Sequence, residues 1–404
     1  MKIVIFLENI QSGGVDTFCE NLINHWPNND DFIFFCNKSH PGFVNIQNNV
    51  NKKCNFLAHK IPISWNILKK FPIVSYQYIR FLGPLVRFMF LPIQFYKIRR
   101  LLIKHEANAL ISVSGSYPGG ETSRIASIVW GQLGFKGNIF NFHNFAMLPR
   151  FGLGWYESLM DRLLVKHVDL FISVSETCIE SLRIRPAFSL LHNLTYIYNG
   201  VSLNDNNIKT LNINSKFKIP SGSFICLMLA TYEKRKGHEF IFKAFEIASK
   251  LKEDMYLVIC GSGTIYEKEE VQLLRNKIIS SSKVHLSEFI PNGSELIKQS
   301  NILLIGSQAE ESFGYTAIEA MQSEIPVIST NCGGLPEVIG KNGDCGFLVE
   351  NDDIENFAKH IIELYENKSL YKLITRNAKL RFEDNFQAKT MARKYMEQVL
   401  LLNK

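Results

Sequence analysis

Ten short apolar runs alternate with helix-patterned stretches from one end of the chain to the other. They are Ile3–Leu7, Phe32–Cys36, Ala109–Val113, Asn138–Phe142, Leu170–Val174, Phe224–Leu229, Tyr256–Ile259, Val284–Leu286, Ile302–Ile305 and Pro326–Ser329. Short continuous apolar runs between helices read as strands covered on both faces. Strands of that kind pair in parallel and need a crossover helix between neighbours, so the expected class is α/β, built from repeated βα units. A chain of 404 residues exceeds what one core usually serves, and two Rossmann-like β/α/β domains facing a cleft are expected. With 46% hydrophobic residues the chain has material for two cores and does not read as disordered. Ligands of such sheets sit beyond the carboxyl ends of the strands.

The expected boundary follows Tyr196–Val201. The next stretch is polar and Asn-rich and closes on Pro220 and Gly222, which is linker chemistry. The reading is therefore an N-terminal domain over 1–200, a second over 201–385, and a C-terminal helix over 386–404 free to dock back on the first. The opening MKIVIFLENI has one lysine and too short an apolar run for a signal segment, and reads as a first buried strand. Eight cysteines are scattered without C-x-x-C spacing, which speaks against a zinc site or a disulfide framework and suits reduced thiols of a cytoplasmic protein.

The net charge of +7 is unevenly placed. Residues 1–200 hold 20 Lys and Arg against 12 Asp and Glu, and the remainder 25 against 26. From Phe32 to His105 there are twelve basic residues and no acidic one. Within it, 61–105 interleaves aromatics, aliphatics and cations. Arg80, Arg87 and Lys97 interrupt every apolar run before it can span a bilayer. Trp, Tyr and Phe mixed with Lys and Arg suit a membrane interface, where each cation gains roughly 1 kcal/mol from anionic headgroups. An ordinary core helix pair with a basic rim is the alternative. Nucleic acid is the poorest partner, since no nucleic-acid motif accompanies the charge.

The chemistry concentrates in residues 307–339, just after the run Ile302–Ile305. A polar loop leads into Phe313–Gly314 and the helical run Tyr315–Gln322. A helix starting there offers free N–H groups of Gly314, Tyr315 and Thr316 and a positive dipole end, which suit a phosphate. Glu311 precedes the helix and Glu319 lies one turn inside it, so one carboxylate is expected on each side of that phosphate, ready to accept from sugar hydroxyls. A second element follows Phe224–Leu229, where Lys234, Arg235 and Lys236 crowd a helix start. Cations there oppose the helix dipole, and a bound anion would relieve the cost. Near the N-terminus, Ile3–Leu7 runs into Gly13–Gly14, a weak phosphate-loop signal that a tight turn explains equally. His143 ends the run Asn138–Phe142, at the carboxyl end of a strand.

Residues 311–321, ESFGYTAIEAM, resemble the E-x7-E motif of family 4 glycosyltransferases. Pro326-Val327-Ile328, Gly333-Gly334-Leu335-Pro336-Glu337 and Gly346-Phe347-Leu348-Val349 follow in the family's order. The resemblance covers about 223–350, is thinner over 1–30 and 137–201, and is absent from 40–105. It implies the GT-B fold and a retaining transfer of a sugar from a nucleoside diphosphate to an acceptor hydroxyl. It assigns Glu311 to the transferred sugar, Glu319 to the ribose, and Gly314, Tyr315, Thr316 and Lys236 to the diphosphate. Gly13 and Gly14 would face the same diphosphate, and His143 the donor sugar beside Glu311 as a second catalytic residue. Thr231 stands where the family has a diphosphate arginine, which leaves Arg235 or Lys234 to supply that charge. Glu288 and Glu324 replace usual glycines. No cofactor or essential metal is implied. The expected partners are a UDP- or GDP-sugar donor, a glycan or lipid-linked acceptor of a surface polysaccharide, and the anionic cytoplasmic face of a membrane. An epimerase or phosphorylase on the same frame, or a silent sugar-nucleotide-binding paralogue, are the rivals.

Overall fold

The computed structural model describes residues 1–64, 76–149, 152, 154–202, 212–290, 293–340 and 343–404, with 76–84 described as backbone only. Part of the basic aromatic segment, 65–75, and part of the expected linker, 203–211, lie outside the described residues. The chain forms two compact units, Met1–Gly200 with Ala388–Lys404, and Val201–Gln387.

The first unit is a seven-stranded parallel sheet in the order β3-β2-β1-β4-β5-β6-β7. Its strands are β1 (Lys2–Glu8), β2 (Asp31–Asn37), β3 (Cys54–His59), β4 (Ala109–Ser114), β5 (Asn138–Phe142), β6 (Leu170–Ser173) and β7 (Leu194–Tyr196). β1 sits between β2 and β4, with Ile5 opposite both Phe34 and Ile111. Every residue of β4 and β5 is buried, as a central strand under two helix layers requires. β3 and β7 were not expected from the sequence. They are the sheet's two edges, and their partly exposed side chains break the apolar run that marks a central strand.

The helix Ala388–Leu402 belongs to this first unit. Its buried stripe of Met391, Ala392, Tyr395 and Val399 joins the core beneath β1 and β4. Tyr395 meets Phe18 of the helix Gly14–Asn24 edge-on at 5.5 Å, and its hydroxyl accepts a 2.7 Å hydrogen bond from the Asn141 amide on β5. Burying an aromatic while its polar tip finds a partner ties the C-terminal helix to the sheet.

The second unit is a six-stranded parallel sheet in the order β10-β9-β8-β11-β12-β13. It comprises β8 (Phe224–Leu229), β9 (Met255–Gly261), β10 (Val284–Glu288), β11 (Ile302–Ile305), β12 (Val327–Thr330) and β13 (Phe347–Val349). β13 is again a short edge strand without a long apolar run. On one face the helices His238–Leu251 and Ile354–Glu366 meet through Phe240 and Phe357 at 5.1 Å. The order reverses between β8 and β11, so the loops that leave these two strands flank the switch point, where doubly wound sheets hold ligands.

Candidate active site in the second unit

β8 leaves the sheet through Ala230–Glu233, makes one tight turn at Lys234–Lys236, and enters the helix His238–Leu251. Gly237 joins the two with φ of +70°, and a Cβ there would stand 1.9 Å from the Gly306 carbonyl oxygen. Only glycine lets the two loops approach so closely. β11 leaves through Gly306–Phe313 and enters the helix Tyr315–Gln322, whose buried face is Ala317, Ile318, Ala320 and Met321. Gly314 stands before that helix with φ of +103°, where a Cβ would collide with Leu335. It brings no capping side chain, so the N–H groups of the first turn receive no side-chain acceptor from that position.

The two loops are stitched by charge. Lys236 Nζ donates to Glu311 Oε2 at 2.5 Å, and the Ser307 hydroxyl donates to the same oxygen at 3.0 Å. Both charged side chains are mostly buried, at 17% and 15% exposure. The Arg235 guanidinium donates to Glu233 at 2.6 Å and to the Glu310 carbonyl at 3.2 Å, and its own carbonyl accepts from the Gln308 N–H at 2.8 Å. The cost of placing these cations at a helix start is thus relieved in part by the protein itself, since Glu311 and Glu233 oppose two of them. Lys234 points out, exposed. Glu233 and Ser307 carried no sequence signal. Their only mark is a position a few residues past an expected strand end, which many loop residues share.

Glu319 lies on the helix beyond this cluster, with no hydrogen bond or ion pair to its carboxylate among the described residues. It is only partly exposed, and burial pushes its pKa up to about 7. A carboxylate held this way without a partner is costly for folding, and such groups mark sites where a ligand completes the hydrogen bonding. Thr231, in the place of the family's arginine, donates to Glu233 at 2.9 Å. It thereby aligns the carboxylate that holds Arg235.

Lys236, Arg235, Glu311, Gly314, Tyr315, Thr316 and Glu319 all belong to the loops and helix starts flanking the β8–β11 switch point. Gly13, Gly14 and His143 belong to the first unit. Gly13 has extended backbone and open space where a Cβ would stand, so the turn itself does not demand glycine. His143 is buried beside Phe18, with ring centroids 4.5 Å apart, and Nε2 has no partner. Burial lowers its pKa to about 3, which keeps the imidazole neutral at physiological pH. A neutral ring suits a hydrogen bond to a hydroxyl and excludes a standing imidazolium charge. Among the described residues no group of three or more His, Cys, Asp or Glu is placed to hold a metal ion.

Residues 210–381 match the family model described as "Glycosyl transferases group 1". The chain is 28% identical over 184 residues to N-acetyl-alpha-D-glucosaminyl L-malate synthase of Bacillus anthracis, covering 45% of this chain and 47% of that protein. It is 27% identical over 195 residues to the capsular polysaccharide biosynthesis glycosyltransferase CapM of Staphylococcus aureus, covering 47% and 50%. These alignments span about half the length of each relative. The structure is similar to that of Anabaena HepE, solved in complex with UDP-glucose, with a TM-score of 0.74, 15% identity and 100% coverage of both chains. That likeness carries the fold, two Rossmann-like halves of the GT-B kind.

Proposed function

With this chain a family 4-like member of the group 1 glycosyltransferases on a GT-B fold, we propose that it transfers a sugar from a nucleoside diphosphate to an acceptor hydroxyl, with retention of configuration. The carrying observation is the mostly buried Lys236–Glu311 pair, with Glu311 set three residues ahead of the uncapped helix start at Gly314. In this reading the diphosphate takes the backbone N–H groups of Gly314, Tyr315 and Thr316. Lys236 and Arg235 neutralise the charge that develops on it as the sugar leaves, so that no metal is needed. Arg235 takes the part that Thr231 cannot, since its guanidinium already lies on the Glu310–Glu311 loop. Glu319 accepts from the ribose hydroxyls, and Glu311 from the hydroxyls of the transferred sugar. An oxygen of the departing phosphate takes the acceptor's proton. Similarity to a capsular polysaccharide glycosyltransferase favours a glycan acceptor.

The test is a screen of UDP- and GDP-sugars by calorimetry and by slow donor hydrolysis. One class is expected to bind and to release free sugar, with release lost in Glu311→Gln and binding retained. Absence of binding by every nucleoside diphosphate would end this reading. Binding without release, across acceptors, would favour a silent paralogue.

The same proposal places the chain at an anionic membrane face. Among the described residues no helix is long and apolar enough to cross a membrane. The helix Tyr76–His105 instead exposes Leu85, Phe88, Met89, Ile93 and Tyr96 along its first part and Lys97, Arg99, Arg100 and Lys104 along its last. Phe88 meets the exposed Trp155 at 5.6 Å, which extends the apolar patch onto a second helix. Apolar side chains for the acyl boundary and cations for headgroups are what an interfacial helix requires. The full chain is expected to float with phosphatidylserine-containing vesicles and to stay behind with purely zwitterionic ones. Neutralising Arg99 and Arg100 together is expected to weaken flotation about thirtyfold, at roughly 1 kcal/mol per cation. Unchanged flotation of that variant would remove the membrane role from this helix.

A further inference from the structure

The first unit has its own switch point, between β1 and β4, and a cavity of about 210 Å³ opens there at the carboxyl edge of the sheet. Glu8 at the end of β1, Ser64 after β3, Arg87 on the long helix, Ser116 after β4, and Glu121 and Arg124 on the helix Glu121–Gln132 are among its walls. All belong to the first unit, so the cavity is complete without the second.

The hydrogen bonds of this wall are unevenly spent. Glu8 accepts from the backbone N–H of Glu121 at 3.0 Å and from the N–H and hydroxyl of Thr122. It thereby occupies the start of that helix, the seat a ligand phosphate would otherwise take. The helix dipole offsets its charge there. Glu121 accepts from the Ser64 N–H at 3.2 Å, the Ser64 hydroxyl at 2.6 Å and the Gln94 amide at 2.8 Å. Both acids are fully engaged inside the protein.

Arg124 is the reverse case. It is 1% exposed, and its Nε and Nη1 find no acceptor. The carboxylates that stabilise its charge, Asp161 and Glu157, are spent on Arg185 at 2.8 and 3.1 Å. Arg124 thus remains a charged, buried guanidinium with donors left over. A buried donor without an acceptor is costly, and more so when charged. Such a cost is recovered when an acceptor-only group arrives, and a guanidinium matches a planar carboxylate or a phosphate edge with two parallel bonds.

We propose that this cavity is a binding site for the carboxylate or phosphate group of a small molecule, with Arg124 as its anchor. The site is separate from the donor residues of the second unit, and it stands whether or not the chain transfers sugar. Sugar hydroxyls alone fit it less well, because the engaged acids leave few acceptors for their protons.

The probes are inorganic phosphate and malonate, titrated calorimetrically against the full chain, with glycerol as the uncharged comparison. Saturable millimolar binding of one anion and none of glycerol is expected. Phosphate binding alone would assign a phosphate group, and malonate alone a carboxylate. Arg124→Gln is expected to weaken that binding about tenfold or more, the loss of one charge-assisted pair. Because Arg124 also packs in a buried charge network, its loss can unfold the unit, which a thermal melt reveals. Ser116→Phe then decides, since it fills the half-buried mouth of the cavity and leaves Arg124 in place. Lys236→Ala, in the second unit, is expected to leave the Arg124-dependent part of the binding unchanged. The proposal is overturned if neither anion binds, if glycerol binds as well as the anions, if Lys236→Ala removes the binding, or if Ser116→Phe in a folded protein retains it.

Discussion

Lys236→Ala is expected to lower sugar-transfer turnover by about 10²–10³-fold, the usual cost of removing one preorganised group that stabilises transition-state charge. Affinity for the nucleoside diphosphate is expected to fall about 10–100-fold, as one charge-assisted hydrogen bond disappears. The geometry is the warrant. Lys236 is mostly buried, is held 2.5 Å from Glu311, and stands beside the start of the helix Tyr315–Gln322. The stability cost should be small, because the Ser307 hydroxyl still donates to the same Glu311 oxygen. A purely structural ion pair predicts the opposite balance, a lower melting temperature with turnover and affinity preserved. Lys250→Ala, which removes an exposed pair with Glu246, is the comparison and should change neither quantity. Turnover within a few-fold of the parent would remove Lys236 from the donor site.

Glu319→Gln is expected to make the unliganded protein more stable at pH 8 and worse at binding nucleotide. Burial raises the Glu319 carboxyl to about 7 in the folded chain, above its ordinary carboxylate value. The sign follows from linkage. A raised folded pKa contributes stability that is fully present below the unfolded value and lost as pH rises through 7. At pH 8 the native protein therefore carries an ionised, unpaired carboxylate that glutamine removes. The gain is about 2–3 kcal/mol at pH 8, after allowance for partial solvent contact, and close to zero at pH 4. Ribose hydroxyls donate best to the ionised form, so parent affinity should rise about tenfold between pH 6 and 8 as the carboxyl titrates. The variant should show no such slope and bind about 10–100-fold more weakly at pH 8. Melting and nucleotide titration across this range measure both effects. Equal melting temperatures at pH 8 would contradict the burial, and an unchanged pH slope would contradict the contact.

The α/β class was legible because the information is local. A central parallel strand is buried on both faces, so Ile3–Leu7 and Ala109–Val113 announce themselves as apolar runs wherever they stand in the sheet. Cys54–His59, Leu194–Tyr196 and Phe347–Val349 did not, because an edge strand keeps one side in water and its pattern fades into that of a loop. The ordered motifs of residues 311–349 carried the resemblance to family 4 glycosyltransferases, and with it the expectation of the GT-B fold.

Within the site, residue types were readable and pairings were not. Lys236 and Glu311 are 75 residues apart, and nothing in either neighbourhood says that they meet. They meet because β8 and β11 are adjacent in the sheet, and strand order is a property of the whole unit. The same holds for the unpartnered Arg124, which looks in sequence like any helical arginine. Only the packed structure assigns Glu8 to the helix start and Asp161 to Arg185, and so leaves its donors unspent. By itself the sequence determined which segments become the central strands and the helices between them, since burial periodicity is written in neighbouring residues. The tertiary structure decided which charges are paired and which are left open, because desolvation and hydrogen-bond competition depend on what the fold brings alongside.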